Sequence, residues 1–115
     1  MDVQIFGVKN NAAVRKAERF FKERRIKVHF MDFKQRSPSV GELKRFFQKF
    51  GEERLIDRES KRFKALGLHT AYYGDDRWLE IASEEPLILH QPLVRSGKHL
   101  TVGLAEDEWR SWVDG

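Results

Sequence analysis

A short polar loop near the start of the chain holds the residues best placed for chemistry. Lys9, Asn10 and Asn11 lie between an apolar run and a helical pattern, and Arg15 follows within that pattern. In many small α/β proteins such a loop carries a reactive cysteine, because a helix N-terminus favours the thiolate. This chain has no cysteine. The loop therefore predicts either a site for an anion or peptide at a helix start, or an ordinary N-cap with solvated neighbours.

Other kinds of catalytic site find no support in the sequence. Neither a Gly-rich phosphate loop nor a serine-nucleophile motif is present. Without cysteine the chain supplies no disulfide, thiolate metal site or thiol catalysis. Four histidines are scattered without the spacing of metal ligands: His29, His69, His90 and His99. We therefore predict no metal site and no catalytic residue in this chain.

The composition is that of one globular domain covering residues 1–115. Apolar residues make up 40% of the chain and include nine Phe and three Trp, enough for a core without crosslinks. No apolar run approaches the roughly 20 residues of a membrane helix. The N-terminus lacks the basic and apolar regions of a signal peptide. We expect a cytoplasmic location and no membrane partner.

Charge is unevenly distributed along the chain. Residues 1–36 contain ten basic and four acidic residues, whereas residues 74–115 contain four basic and nine acidic ones. A basic half indicates an anionic partner, either an acidic protein surface or nucleic acid, although a solvated helix face gives the same pattern. The Trp and Phe residues follow helical stripes, which favours core positions over a base-stacking platform and makes nucleic acid the less expected partner.

The first third of the chain predicts a βαβ unit with parallel strands and a right-handed crossover. β-Forming residues indicate strands over Val3–Phe6 and Val28–Phe33. Helical spacing runs from about Ala12 to Arg25, with Asn11 as its N-cap. The apolar stripe of this helix comprises Val14, Ala17, Phe20 and Phe21.

Helices are predicted for the middle of the chain. Ser39 and Glu42 form a capping box that opens a helix ending at Gly51. A further helical piece spans about Ser60 to Leu66, and another starts at Asp75 or Asp76. The expected inward residues of these three helices are Leu43, Phe46, Phe47 and Phe50, then Phe63 and Leu66, then Trp78, Leu79 and Ile81.

The last third predicts a strand, a β-hairpin and a helix, which makes the sheet mixed. A strand over Pro86–His90 continues through Leu93 and Val94, and a turn at Ser96–Lys98 leads to a return strand over Leu100–Val102. The final helix begins near Ala105, and its expected buried residues are Trp109, Trp112 and Val113.

This order resembles a thioredoxin-like fold with a helical insertion, and the motifs resemble one branch of it. Arg15-Lys16-Ala17, "ESKRFKALGL" (residues 59–68), "EEPLILHQPL" (84–93) and "TVGLAEDEW" (101–109) are similar to segments of the ArsC/Spx family. That family comprises glutaredoxin-coupled arsenate reductases and Spx-type transcription regulators. The likeness spans nearly the whole chain and implies an α/β thioredoxin-like fold of the arsenate reductase/Spx type.

The departures from the family bear on function. Asn11 and Val14 stand at the two thiol positions, Gln91 replaces the arginine before the family proline, and Arg58 lies beside the expected place of the insertion-helix arginine. The resemblance implies a cis bond between Gln91 and Pro92, whose exposed backbone presents itself to an extended partner. We therefore expect a binding surface, here called the relic site, formed by Lys9, Asn10, Asn11, Arg15, Gln91 and Pro92.

Two functions are compatible with these features. The first is a redox-inactive, non-catalytic binding or regulatory protein whose partner is a protein or peptide, with transcription machinery implied by the Spx likeness. The second is a reductase-like protein that binds glutathione or an oxyanion and relies on a thiol from another molecule. The first reading needs no cofactor.

Overall fold

A computed structural model describes residues 1–114 of the chain. Four strands and five α-helices are formed within this range. The strands are β1 (Asp2–Gly7), β2 (Lys27–Asp32), β3 (Leu93–Ser96) and β4 (His99–Val102), and the helices are α1 (Ala12–Glu23), α2 (Val40–Leu55), α3 (Lys61–Ala65), α4 (Asp75–Glu84) and α5 (Glu106–Asp114). Short 3₁₀ turns at Leu68–Thr70 and Pro86–Ile88 flank α4.

The chain divides into two compact units. The first comprises Met1–Asp32 and the segment from Gln91 onward, and the second comprises Phe33–His90. All four strands belong to the first unit, in the order β2-β1-β3-β4. β1 is parallel to β2, whereas β3 is antiparallel to both β1 and β4. The predicted parallel βαβ unit, the late hairpin and the mixed sheet are confirmed.

The core of the first unit lies between one face of the sheet and helices α1 and α5. The Phe20 and Phe21 rings lie 5.5 and 5.3 Å from that of Trp109. Trp109 is fully buried, and its indole Nε1–H donates to Thr101 Oγ1 at 2.7 Å, so its one polar group is satisfied. The other buried members are Val3, Ile5, Val14, Ala17 and Val94, as the helical stripe predicts for α1.

The second unit is helical, and α2 packs against α4 within it. The capping box predicted for α2 is present: the Glu42 N–H donates to Ser39 Oγ at 3.0 Å and the Ser39 N–H to Glu42 Oε1 at 2.9 Å. Gly51 has a φ of +76°, which breaks the helix geometry as predicted. The predicted end of this helix at Gly51 is thereby confirmed, and a second short helical piece, which was not predicted, follows it as far as Leu55.

The prediction of a strand over Pro86–His90 is wrong. Pro86 opens a 3₁₀ turn directly after α4, consistent with its fixed φ at a helix start. Leu89 makes only an isolated bridge with Ile56. The Asp57 N–H donates to the Ile88 carbonyl at 2.7 Å, which ties this segment into the helical unit. Only Leu93–Ser96 joins the sheet, and its first residue, Leu93, pairs with Phe6 of β1.

Several side chains expected inside are more exposed than predicted. Leu66 is exposed because it caps the end of the five-residue α3. Phe50, Trp112 and Val113 are half-buried. Phe63, Trp78, Leu79 and Ile81 are buried as expected.

Among the described residues, no helix combines the length and apolar character required to cross a lipid bilayer.

Candidate functional site

The loop between β1 and α1 is a tight turn closed by Asn11. The Asn11 N–H donates to the Val8 carbonyl at 3.1 Å. Asn11 has extended backbone angles, and its Oδ1 accepts from the Val14 N–H at 3.1 Å. Asn11 is therefore the N-cap of α1, as predicted. Its side chain is engaged by the helix, at the position where the resemblance places a thiol.

The proline segment meets this loop through Gln91. The Gln91–Pro92 peptide bond is cis, as the resemblance implies. The Val8 N–H donates to Gln91 Oε1 at 2.8 Å, a contact between residues 83 positions apart. Gly7 makes room for it, since a Cβ there would lie 2.6 Å from Val14 Cγ2 and 3.0 Å from Gln91 Oε1. The close approach of the two segments thus depends on a glycine at the end of β1.

The main chain of Gln91 is open. Within residues 1–114, neither its N–H nor its carbonyl makes a hydrogen bond, whereas the carbonyl of Pro92 accepts from the Gly103 N–H at 2.8 Å. Pro92 is buried and Gln91 is half-buried. Unpaired main-chain groups at the end of a sheet strand are the groups that an extended peptide pairs with when it binds.

The charges around the start of α1 are positive. Lys9 and Arg15 are exposed, and Arg15 Nη1 donates to the Lys9 carbonyl at 3.3 Å. Lys9 Nζ lies 5.8 Å from the centre of the Phe30 ring. The first turn of α1 has no acidic residue. The N–H groups of Ala12 and Ala13 are among those that no intrahelical carbonyl can satisfy, so this helix start favours an anion.

The predicted relic site is only partly joined by direct contacts. Lys9, Asn11 and Arg15 share one loop and helix start, and Gln91 reaches it through the backbone of Val8. Asn10 is exposed. In the described part of the chain no hydrogen bond links Gln91 or Pro92 to the side chains of the loop. The sequence did not predict that Gly7 provides space for Gln91 or that the Val8 N–H binds it. A glycine directly before a polar loop was the one signal in the sequence that could have indicated this close approach.

The arginine of the insertion has contacts within the second unit. Arg58 Nη2 donates to Glu52 Oε2 at 3.2 Å. Its guanidinium lies over the rings of Phe63 and Trp78, at 5.5 and 5.4 Å from their centres. These contacts with one carboxylate and two aromatic rings give Arg58 a role in holding α3 and α4 together.

The helix start carries an amide at the position where the resemblance places a thiol. An amide at the N-cap is not a nucleophile, and the chain has no cysteine. No group of three or more potential metal ligands is found among residues 1–114. What remains is a positive helix start beside an open stretch of main chain.

Comparisons with known proteins identify a family model and a relative that match most of the chain. The model of the ArsC family matches residues 6–112. The global transcriptional regulator Spx 2 of Oceanobacillus iheyensis is 28% identical over 115 residues, which cover 98% of this chain and 84% of that protein.

Two solved structures share the fold. The YffB protein superposes with a TM-score of 0.86 at 20% identity, covering 95% of this chain and 96% of the other. The arsenate reductase from Vibrio cholerae gives a TM-score of 0.81 at 22% identity, covering 96% and 97%. The expected thioredoxin-like fold of the arsenate reductase type is thereby confirmed.

Proposed function

The chain belongs to the ArsC family, and from that premise we propose that it is a redox-inactive member that acts by binding. The observation that carries the proposal is Asn11. This residue stands where the resemblance places the nucleophilic cysteine, and its side chain caps α1 instead. Because the chain contains no cysteine, it cannot perform the thiol step of a reductase by itself.

The proposed binding surface is the relic site: Lys9, Asn10, Asn11, Arg15, Gln91 and Pro92. The open main chain of Gln91 supports pairing with an extended peptide. Lys9 and Arg15, together with the unsatisfied N–H groups of the helix start, support an anionic group on that peptide. The partner is therefore a protein segment with an acidic side chain or terminus.

A regulatory role is supported by the likeness to one of the relatives. The likeness to a global transcriptional regulator supports a partner in the transcription machinery. The cytoplasmic location expected from the sequence fits such a partner and stays a prediction.

A capture experiment tests this function. The tagged protein is used to isolate partners from lysate of its own organism, in parallel with a Lys9→Glu variant and an Asn10→Trp variant. Both substituted residues are exposed, so the variants keep the fold while altering the charge or the shape of the relic site. We expect a partner whose recovery falls with either variant. Equal recovery by all three proteins would reject the relic site as its binding surface.

A second candidate function keeps part of the reductase chemistry. The positive start of α1 favours binding of glutathione or an oxyanion. The thiol needed for the reductase reaction would then come from another molecule and not from this chain. Isothermal titration with glutathione and with arsenate distinguishes this function from the first. Binding of either small molecule that is lost in Lys9→Glu favours the second candidate. Heat signals no larger than those of dilution leave the peptide-binding function.

A coupled reductase assay tests the absence of intrinsic catalysis. Glutathione, glutaredoxin and arsenate are supplied with the protein, and NADPH consumption through glutathione reductase is followed. We expect the rate of a control without protein. Turnover clearly above that control would show that this chain retains reductase activity, and would contradict the proposal.

A further inference from the structure

A second positively charged surface lies on the first unit, and none of the residues that line it belongs to the relic site. Helices α1 and α5 border a groove of about 320 Å³, here called the α1–α5 groove. Four basic side chains and two acidic ones line it around the edge of Phe20. They are Lys16, Arg19, Arg24 and Arg110, with Glu23 and Glu106.

The α1 cations of the groove have no carboxylate partner of their own. Within residues 1–114, Lys16, Arg19 and Arg24 make no ion pair, although other cations of the first unit, Lys22 and Arg110, are paired with Glu18 and Asp107. All three are exposed. The groove therefore carries positive charge that the chain itself does not neutralise.

Arg24 is held in a defined position. Its Nη1 donates to the Phe20 carbonyl at 3.0 Å, and its guanidinium carbon lies 3.7 Å from the centre of the Phe20 ring. A guanidinium lying over an aromatic ring keeps other N–H groups free at its edge, in the planar arrangement that suits a carboxylate. Little side-chain entropy remains to be lost when such a group binds.

We propose that the α1–α5 groove binds an acidic helical segment of a partner protein, independently of the relic site. Lys16 lies in α1 and Arg24 is the C-cap residue of that helix, eight positions later, which places them about 12 Å apart along the helix axis. A partner helix with carboxylates at every fourth position presents charges over the same length. Such a helix can lie in the groove between α1 and α5 as amphipathic helices lie in other grooves.

The groove favours a protein over a nucleic acid. Glu23 and Glu106 lie within it, and Asp107 and Glu108 follow in the first turn of α5. A continuous phosphate backbone lying in the groove would bring phosphates beside Glu23 and Glu106, which repel them. A peptide with separated acidic side chains can place its carboxylates beside the basic residues of the groove and its neutral side chains beside Glu23 and Glu106.

The test uses a defined probe. A fluorescent alanine-based peptide of about 16 residues, long enough for partial helicity, carries glutamate at every fourth position. A matched peptide carries glutamine instead. We expect fluorescence anisotropy to detect binding of the glutamate peptide that weakens as salt is raised, and no binding of the glutamine peptide. Equal binding of both peptides would overturn the proposal.

Charge reversals locate the surface. The double variant Lys16→Glu and Arg19→Glu should weaken binding by about tenfold, and Arg24→Glu alone by about fivefold, since exposed ion pairs are individually modest. Arg45→Glu is the matched control: Arg45 is exposed on α2 and does not line the groove. The control should leave the affinity unchanged. An equal loss in Arg45→Glu would mean that only the net charge matters, which overturns the proposal.

Two further outcomes identify a different occupant. A single-stranded oligonucleotide of the same charge that binds more tightly than the glutamate peptide would assign the groove to nucleic acid. A dimer in light scattering that dissociates in the Lys16→Glu and Arg19→Glu variant would assign it to a second copy of this chain. Either result overturns the proposal. A circular dichroism spectrum of each variant confirms that the fold is retained.

Discussion

Helices α1 and α2 each begin with backbone N–H groups that have no intrahelical acceptor, and the two helix starts are capped in different ways. Asn11 caps α1 through one hydrogen bond to the Val14 N–H, and the first turn that follows contains no acid. Ser39 caps α2 in the same way, by accepting from the Glu42 N–H. In addition, the Glu42 side chain lies in that first turn and accepts from the Ser39 N–H. Arg36 binds both oxygens of Glu42, at 3.0 and 2.8 Å.

The difference shows which start is available to another molecule. The hydrogen bonds from Arg36, aided by those from Ser39, lower the pKa of Glu42 to about 2. The positive end of α2 is thus faced by a carboxylate that the chain supplies, whereas the start of α1 is flanked by Lys9 and Arg15. An anionic group from a partner would be attracted to the start of α1, whereas the start of α2 already holds a carboxylate that is paired with Arg36.

The largest expected effect comes from the glycines beside the two starts. Gly7→Ala should lower the free energy of unfolding by about 1–3 kcal/mol, because the added Cβ would clash with Val14 and Gln91. Gly41→Ala is the control in the first turn of α2, where the nearest heavy atom to the new Cβ is Ser39 Oγ at 3.8 Å. It should stabilise by up to about 1 kcal/mol through helix propensity. Urea denaturation measures both, and equal effects would contradict the tight packing described at Gly7.

Removing the charge of Glu42 should make the α2 start resemble that of α1. Glu42→Gln should cost about 1–2 kcal/mol at neutral pH, less than the full pKa shift implies because the carboxylate is partly exposed. The folded pKa is lowered, so the contribution is present above about pH 4.5 and is lost as pH falls towards about 2. Wild type and Glu42→Gln should therefore converge in stability in acid. A gap of constant size from pH 6 to pH 2 would refute the ion pair.

The smallest effects are expected at the α1 cap. Asn11→Ala should destabilise by about 1 kcal/mol, the usual cost of losing an N-cap. Asn11→Asp should change the stability by only a few tenths of a kcal/mol, since aspartate caps about as well as asparagine. Thermal unfolding at neutral pH compares the three proteins. If Asn11→Asp were as unstable as Asn11→Ala, the side chain at this position would have a role other than capping.

Local features of both helix starts could be predicted from the sequence. Asn11 as an N-cap and the Ser39–Glu42 box depend on residues within one turn, so the pattern contains the interaction. Gly51 was correctly expected to break the helix, but the turn that follows it depends on the packing of Leu55, which is fully buried.

Contacts between distant segments could not be predicted in this way. The bond from the Val8 N–H to Gln91 joins residues 83 positions apart. The resemblance placed Gln91 and Pro92 beside the loop, but it gave no reason to expect that the Gln91 side chain would accept a hydrogen bond from the backbone of Val8, the residue after β1. The apolar run Pro86–Leu89 likewise has the composition of a strand. Its contacts with Ile56 and Asp57, which the sequence does not reveal, show that it packs within the helical second unit.

The proposed function requires that the start of α1, which carries Asn11 where the resemblance places a thiol, favours an anion. Because the chain has no cysteine, Asn11→Cys and Ser39→Cys each place a single thiol at the same cap position of the two helices. Thiolate absorbance near 240 nm, followed against pH, gives each pKa. We expect the thiol pKa of the Asn11→Cys protein to lie below the ordinary value of about 8.5. It should also lie below that of the Ser39→Cys protein, where the Glu42 carboxylate already occupies the positive end of the helix. A pKa at or above the ordinary value in Asn11→Cys would contradict the claim.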